Sequence, residues 1–414
     1  MGCISCRHLW VVSAIMVAVA ALPLLGYWLL VGRAPGVSYL KARRLVDTGQ
    51  AVLVDVGLPP RDAADYAGQA VPWPMDSILK VKGAADVPAA LRGRKMVLLC
   101  VSGVNAARAA RHLQGVGIGE VYAIRGGVQE WIAAVPAGAA RALAYRPAPA
   151  CEQWAAVLAF FFVKFFYTLF AAIIIVVLWH RHEADLAALR WGMIFFFIGE
   201  AACFVNVMLF AEHSVAFEYL HNAGMVLTFA YTIYALLEGL DARLIHYSDA
   251  GRCAAGGLCH GCIKHAQVSC GLRRLFLMLT PATALLAGVP LLASFRTTAY
   301  NTSIFGVLHT YTHPILEQVY EWRFLPVVAV ALLSASFFVL WLVERHPTPL
   351  AKILFAAGAG ALGFSFFRLV LVACYSDHLV WFDAWEETTE LMYTLLVGGV
   401  LIVFHRGLLE PRHD

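Results

Sequence analysis

The sequence predicts a multi-pass α-helical membrane bundle with an inserted α/β domain, and three observations predict it. Of the 414 residues, 61% are hydrophobic and 14% charged, against roughly 45–50% and about 25% in soluble domains. The 31 basic and 27 acidic residues are spread unevenly, so that several windows of about 20 residues carry none or one. Between the first such window and the others lies 34–150, a stretch of ordinary charge density with Gly and Pro punctuation. Together these exclude an ordinary soluble enzyme. A formal charge of +4 supplies no basic face for nucleic acid, and the ten cysteines are too unevenly placed to form a disulfide framework.

In chain order, the first apolar run is 9–31. It is about 23 residues long, more than the 7–15 of a secretory signal core, and Pro35 stands where a cleavage site would need small residues. An uncleaved anchor over 1–33 is therefore expected. The domain 34–150 follows, with the short apolar runs AVLVDV (51–56) and KMVLLC (95–100) as its strands. Seven further apolar runs, 154–179, 190–211, 219–240, 275–295, 324–343, 350–374 and 388–405, make 151–414 a seven-span bundle in contact with membrane lipid. Each is long enough to cross about 30 Å of hydrocarbon at 1.5 Å per residue.

Lysines and arginines in the short loops set the orientation. One side gathers Arg181, Arg190, Arg243, Arg252, Lys264, Arg273, Arg274, Arg345, Lys352, Arg406 and Arg412, while the other has Arg296 and Arg323. The first side is therefore cytoplasmic, which places 34–150 outside, facing away from the cytoplasm if the membrane is a bacterial inner one. The anchor alone points the other way, with Arg7 before it and Arg33, Lys41, Arg43 and Arg44 after it; the asymmetry of the whole bundle outweighs one span.

Within the inserted domain, VLVDV (52–56), LLCVSGVNAARAARHL (98–113) and VYAIRGGVQEW (121–131) occur in that order. This trio resembles the rhodanese family over about 37–135, roughly a quarter of the chain: a first core strand, a strand–cysteine loop–helix unit, and a closing signature. The resemblance implies an α/β fold and transfer of sulfane sulfur through a persulfide on Cys100. It also implies a loop of Val101, Ser102, Gly103, Val104, Asn105 and Ala106 that holds the anion. The physics of such a loop is favourable, because successive backbone N–H groups and the positive end of the following helix stabilise a thiolate or persulfide. The chain also departs from the family pattern. Val101 and Asn105 stand where active members commonly carry arginine, Gly57 replaces the usual Arg after the first strand, and Gln69 occupies a turn that often offers His. Arg108 and Arg111 are the nearest cations that follow. Two readings stay open: a persulfide carrier fed by a small sulfur compound or a sulfur-carrier protein, and a non-catalytic sensor or scaffold with an inert core thiol.

The loop 241–274 carries RCAAGGLCHGCIKHAQVSCG, with Cys253, Cys259, Cys262 and Cys270 spaced C-x5-C-x2-C-x7-C. Four thiolates suit tetrahedral zinc or an iron–sulfur cluster, and His260 or His265 offers a substitute ligand. A cluster there would make the bundle a membrane oxidoreductase, the third reading. In a reducing cytoplasm a structural disulfide is disfavoured. Cys3 and Cys6 form a second C-x2-C, and Cys151, Cys203 and Cys374 are scattered in and around the bundle.

Ionisable residues in hydrocarbon are costly and usually pair or line a path. Lys164 and Glu200 both lie about 15 Å below the outer end of their spans by helical rise, so they are expected to be partners. Arg368 lies at the level of Glu386 and Glu390, where a clasp is expected. The outer side also gathers His213, Glu218, His221, His309, His313, Glu317, His378, Asp383 and Glu387. Glu218 and His221 share a helix face, as do Glu386 and Glu390. Such a mixture suits metal binding or proton-coupled chemistry, or simply a solvated rim.

Overall fold

The computed structural model describes residues 14–18, 34–56, 70–100, 103–124, 131, 146–147, 149–210, 214–246, 271–293, 299–304, 307–312, 315–343, 348–375, 379–404 and 409. The chain divides into two compact units, one made of Met1–Leu22, Ala150–Ser294 and Glu321–Asp414, the other of Pro23–Pro149 and Phe295–Tyr320.

The second unit holds a five-stranded sheet. Its strands are β1 (Gly36–Val37), β2 (Val52–Asp55), β3 (Val71–Pro72), β4 (Met96–Leu99) and β5 (Val121–Ile124), ordered β1-β5-β4-β2-β3 with every neighbouring pair parallel. The central strands β2 and β4 are buried at every residue. A parallel sheet is covered on both faces, which is why these strands are continuous apolar runs rather than alternating ones. Val52, Val54 and Leu98 face one cluster, with Ala106, Ala110 and Leu113 of α3 (Val104–Gly115) packed against them. Leu53, Val97 and Leu99 face the other, with Trp131 and Ala42 of α1 (Tyr39–Asp47). Alanines at 106, 107, 109 and 110, all fully buried, let α3 lie close to the sheet. The Arg43 guanidinium stacks over the Trp131 ring, 4.9 Å from its centroid. Helix α2 (Met75–Ile78) is a single turn between β3 and β4.

The same unit contains β6 (Arg146–Pro147), β7 (Ala299–Ile304) and β8 (Val307–Thr312), a second sheet in which β7 and β8 form an antiparallel hairpin and β6 runs parallel to β7. Nothing in the composition of 299–312 predicts this hairpin. His309 stands in β8 opposite Thr302, so its spacing to His313 and Glu317 is not a helical one.

The first unit is helical. Its elements are α4 (Ala150–Leu178), α5 (Ala184–Phe210), α6 (Val215–Gly239, continued by a π-helical turn over Leu240–Ile245), α7 (Gly271–Leu286), α8 (Gly288–Leu291), α10 (Leu325–Leu342), α11 (Thr348–Tyr375) and α12 (Leu379–Val403). The short helix α9 (Ile315–Val319) leads through a π turn, Tyr320–Phe324, into α10. Among the described residues, five helical stretches are long and apolar enough to cross a membrane: Ala150–Leu178, Ala184–Leu209, Ala216–Ile245, Glu317–Leu342 and Thr348–Tyr375. Their 26–30 residues correspond to about 39–45 Å of helix. Phe161, Phe165, Val176, Trp341, Val370 and Ile402 point outward from the unit, where a water-soluble bundle would carry charge.

Two expected spans differ. The run 275–295 is broken at Ala287 into α7 and α8, because Pro290 lacks the N–H that would bond the Leu286 carbonyl, whereas α7 continues through Pro281. The last helix begins nine residues before the expected 388 and carries Asp383, Glu386, Glu387 and Glu390 in its first half. Of the run 9–31, only the helical residues 14–18 are among those described.

Small residues let the helices approach closely. A Cβ on Gly224 of α6 would lie 2.7 Å from the Gly199 Cα of α5, and one on Gly360 of α11 would lie 2.5 Å from the Ala230 backbone of α6. Near the other end of α5, Arg243 grips Asp185 with two bonds of 2.5 and 3.2 Å, and Lys352 bridges Glu238 at 2.8 Å and Asp241 at 2.9 Å. Both cations belong to the set of positive charges that orients the bundle, and both are paired. Arg323 donates to the carbonyls of Pro290 and Ala293, satisfying acceptors where α8 ends.

Candidate functional site

Among the described residues, two places collect chemistry, one in each unit. In the α/β unit, Cys100 directly follows β4 and is buried, with 3% of its surface exposed. The turn beyond it passes through Gly103, whose φ of 79° is the left-handed conformation a β-carbon disfavours. That geometry starts α3 at Val104 and folds its first turn back over the thiol. The Ala106 N–H donates to Cys100 Sγ at 3.3 Å, and the Gly103 carbonyl accepts from the Ala107 N–H at 2.9 Å. The sulfur therefore sits at the N-terminal end of a 12-residue helix, where unsatisfied N–H groups and the helix dipole favour negative charge. Asn105 is exposed and contributes no cation. Arg108 is exposed on the next turn and Arg111 is half-buried. Val101 and Ser102 lie outside the described residues, as do Gly57 and Gln69.

In the helical unit, Lys164 of α4 is at the centre of a buried polar cluster. Its ammonium donates to Glu200 Oε2 at 2.7 Å, to Glu387 Oε1 at 2.7 Å and to Tyr167 Oη at 3.0 Å, which engages all three of its protons. The Tyr167 hydroxyl lies 2.5 Å from both Glu200 Oε2 and Glu387 Oε2, one proton between two carboxylates. His221 of α6 donates from Nδ1 to the Gly199 carbonyl at 3.2 Å, with Glu200 Oε1 3.3 Å away. Its Nε2 is 4.0 Å from Glu386 Oε1. Arg368 binds Glu321 through Nε at 2.8 Å and Glu386 through Nη1. The structure thus brings Lys164 and Glu200 together and joins Arg368 to Glu386, but Glu390 stands with Glu200 and His221 instead of with Arg368. Glu386 and Glu390 share a helix face, and Glu321, arriving from the π turn, takes the place on Arg368 that Glu390 would have filled.

Tyr167 and Glu321 are the members that sequence reasoning missed. Tyr167 is three residues after Lys164 and so on its face, a signal available in the sequence. Glu321 precedes the run 324–343 and reads there as a loop residue. Cys203 is half-buried in α5, while Cys151 and Cys374 are exposed. Cys253, Cys259, Cys262 and Cys270 all lie outside the described residues, as do Cys3, Cys6, His213, His313 and His378.

Two curated proteins are similar to part of this chain. A tRNA uridine(34) hydroxylase of Cupriavidus metallidurans is 30% identical over 107 residues, 24% of this chain and 38% of that protein. A sulfurtransferase of Allochromatium vinosum is 30% identical over 90 residues, 22% of this chain and 79% of that protein. The chain spans little more than a third of the first relative's length. No protein-family profile matches the chain, and no solved structure does. A parallel α/β sheet, a cysteine at the end of its central strand and a relative covered over most of its length agree, and through this domain the chain belongs to the rhodanese-like sulfurtransferases.

Proposed function

We propose that the protein is a membrane-embedded sulfur carrier that holds sulfane sulfur as a persulfide on Cys100. The observation that carries this reading is the Ala106 N–H donating to Cys100 Sγ at the start of α3, where a persulfide anion is stabilised. In the loading step the Cys100 thiolate attacks the terminal sulfur of a polysulfide or donor persulfide. The donor S–S bond breaks, the donor leaves as a thiolate or a shortened polysulfide, and Cys100 keeps the sulfur as Cys–S–S⁻. Electrons balance without an outside oxidant. Delivery is the same exchange reversed, onto an acceptor thiolate.

The absence of arginine at 101 and 105 makes thiosulfate, a dianion, a poorer donor than a carrier-protein persulfide, which brings at most one negative charge on its sulfur. On this reading the five apolar helices lie in lipid, in the cytoplasmic membrane if the cell is bacterial. The loop-charge asymmetry supports an extracytoplasmic position for the sulfurtransferase-like domain. Cys253, Cys259, Cys262 and Cys270 hold zinc or an iron–sulfur cluster on the opposite side. The near-complete burial of Cys100 favours a second reading, a non-catalytic domain that senses or docks a sulfur compound or carrier protein. Sulfur transfer separates the two. Purified wild-type protein is expected to move sulfur from polysulfide to an acceptor thiol, and Cys100→Ser to lose that activity. Equal rates in the two proteins reject the carrier.

A further inference from the structure

We propose that Glu200, His221 and Glu390 form a binding site for one divalent transition-metal cation within the helical unit. The three residues come from α5, α6 and α12, and are 0%, 6% and 3% exposed. Each offers a ligand atom within 4.8 Å of those of the other two. Ligands on a metal shell of about 2.1 Å radius lie about 3–3.5 Å apart, so rotamer adjustments on the order of 1 Å close the set around an ion.

The hydrogen-bond pattern points to a missing positive partner. Every proton of Lys164 is engaged by Glu200 Oε2, Glu387 Oε1 and Tyr167. Glu200 Oε1 and both oxygens of Glu390 have no hydrogen-bond partner among the described residues. Buried carboxylate oxygens are ordinarily satisfied, and an uncompensated buried charge is costly. Glu200 and Glu387 share the one ammonium of Lys164, and Glu390 is buried beside Glu200, so that with all three carboxylates ionised two negative charges are in excess. A divalent cation balances both and gives the orphaned oxygens a ligand role.

The donor set selects the class of ion. Two carboxylates and an imidazole suit Mn²⁺, Fe²⁺ or Zn²⁺, whereas Ca²⁺ takes six to eight oxygens and Cu⁺ prefers thiolate or thioether. His221 is held for the task, because its Nδ1–H donates to the Gly199 carbonyl and so keeps a lone pair on Nε2. The close approach of Gly199 and Gly224 brings α6 near enough to α5 for this bond.

Mn²⁺ is the probe of choice, because the thiolates of the 241–274 loop compete poorly for an oxygen-preferring ion. Full-length protein in detergent, stripped with chelator and titrated with Mn²⁺, is followed by electron paramagnetic resonance. One Mn²⁺ per chain is expected, with electron–nuclear coupling to an imidazole nitrogen and displacement by Zn²⁺. Glu390→Gln, which keeps the side-chain shape and removes the charge, is expected to weaken Mn²⁺ about 100-fold, and His221→Ala to remove the nitrogen coupling. The nitrogen coupling is read on the wild type, so the test stands even where a variant does not fold. Failure of the wild type to bind Mn²⁺, bound Mn²⁺ without nitrogen coupling, or unchanged affinity in folded Glu390→Gln overturns the site. An infrared band of a protonated carboxyl in a wild type that takes up no metal would assign the orphaned oxygens of Glu390 to a proton instead.

Discussion

The surroundings of Cys100 and of Lys164 solve the same problem, holding charge away from water, by opposite means. At Cys100 the backbone does it: a left-handed glycine turns the chain, and helix α3 presents its N–H groups to one sulfur. At Lys164 side chains do it: an ammonium, a phenol and carboxylates from three helices satisfy one another. A backbone site tolerates replacement of the side chains around it and depends on the path of the chain. A side-chain site fails when one partner is removed. The two should therefore respond differently to mutation, and four substitutions probe that difference.

The largest effect is expected from Lys164→Met, which strips the common donor from Glu200, Glu387 and Tyr167. Removing one partner of a buried charge cluster costs about 3–5 kcal/mol. Unfolding of the helical unit in a denaturing detergent, followed by circular dichroism, should shift accordingly, and a loss below about 1 kcal/mol would mean the cluster is not built as described. Next is Gly224→Ala, whose Cβ would fall 2.7 Å from the Gly199 Cα and 2.8 Å from the Phe195 carbonyl oxygen. Overpacking of this kind costs about 1–3 kcal/mol in the same assay. In the α/β unit, Gly103→Ala forces a β-carbon into the left-handed region and should cost about 1–2 kcal/mol. Hydrogen exchange across α3 would record this as lost amide protection. The smallest effect belongs to Asn105→Ala, an exposed neighbour of the same turn, which should change stability by less than about 0.5 kcal/mol. If Asn105→Ala proved as damaging as Gly103→Ala, the claim of a backbone-built site would fall.

Much of this was legible in the sequence, for identifiable reasons. The strands at 52–55 and 96–99 announced themselves because a doubly covered parallel strand is a continuous apolar run. Lys164 and Glu200 could be matched because helical rise converts sequence position into depth. What escaped had no such ruler. Tyr167 counts as apolar in a hydrophobic window, and only its hydroxyl reveals its role. Glu321 precedes the expected start of its span, and the π turn that carries it inward leaves no pattern in composition. The 299–312 hairpin alternates too weakly for a period of two to emerge, and the break between α7 and α8 at Ala287 depends on one proline, Pro290, in a run long enough to look like a span. The assignment of Glu390 to Glu200 and His221 required knowing which residue takes Arg368.

Whether Cys100 carries sulfur is read from mass analysis of the Cys100 peptide. Full-length protein is incubated with polysulfide, alkylated to trap persulfides and digested. One additional sulfur atom is expected on Cys100, removed by an acceptor thiol and absent from Cys100→Ser. A Cys100 that stays an unmodified thiol under every donor tried, in protein whose α/β unit is folded, would contradict it.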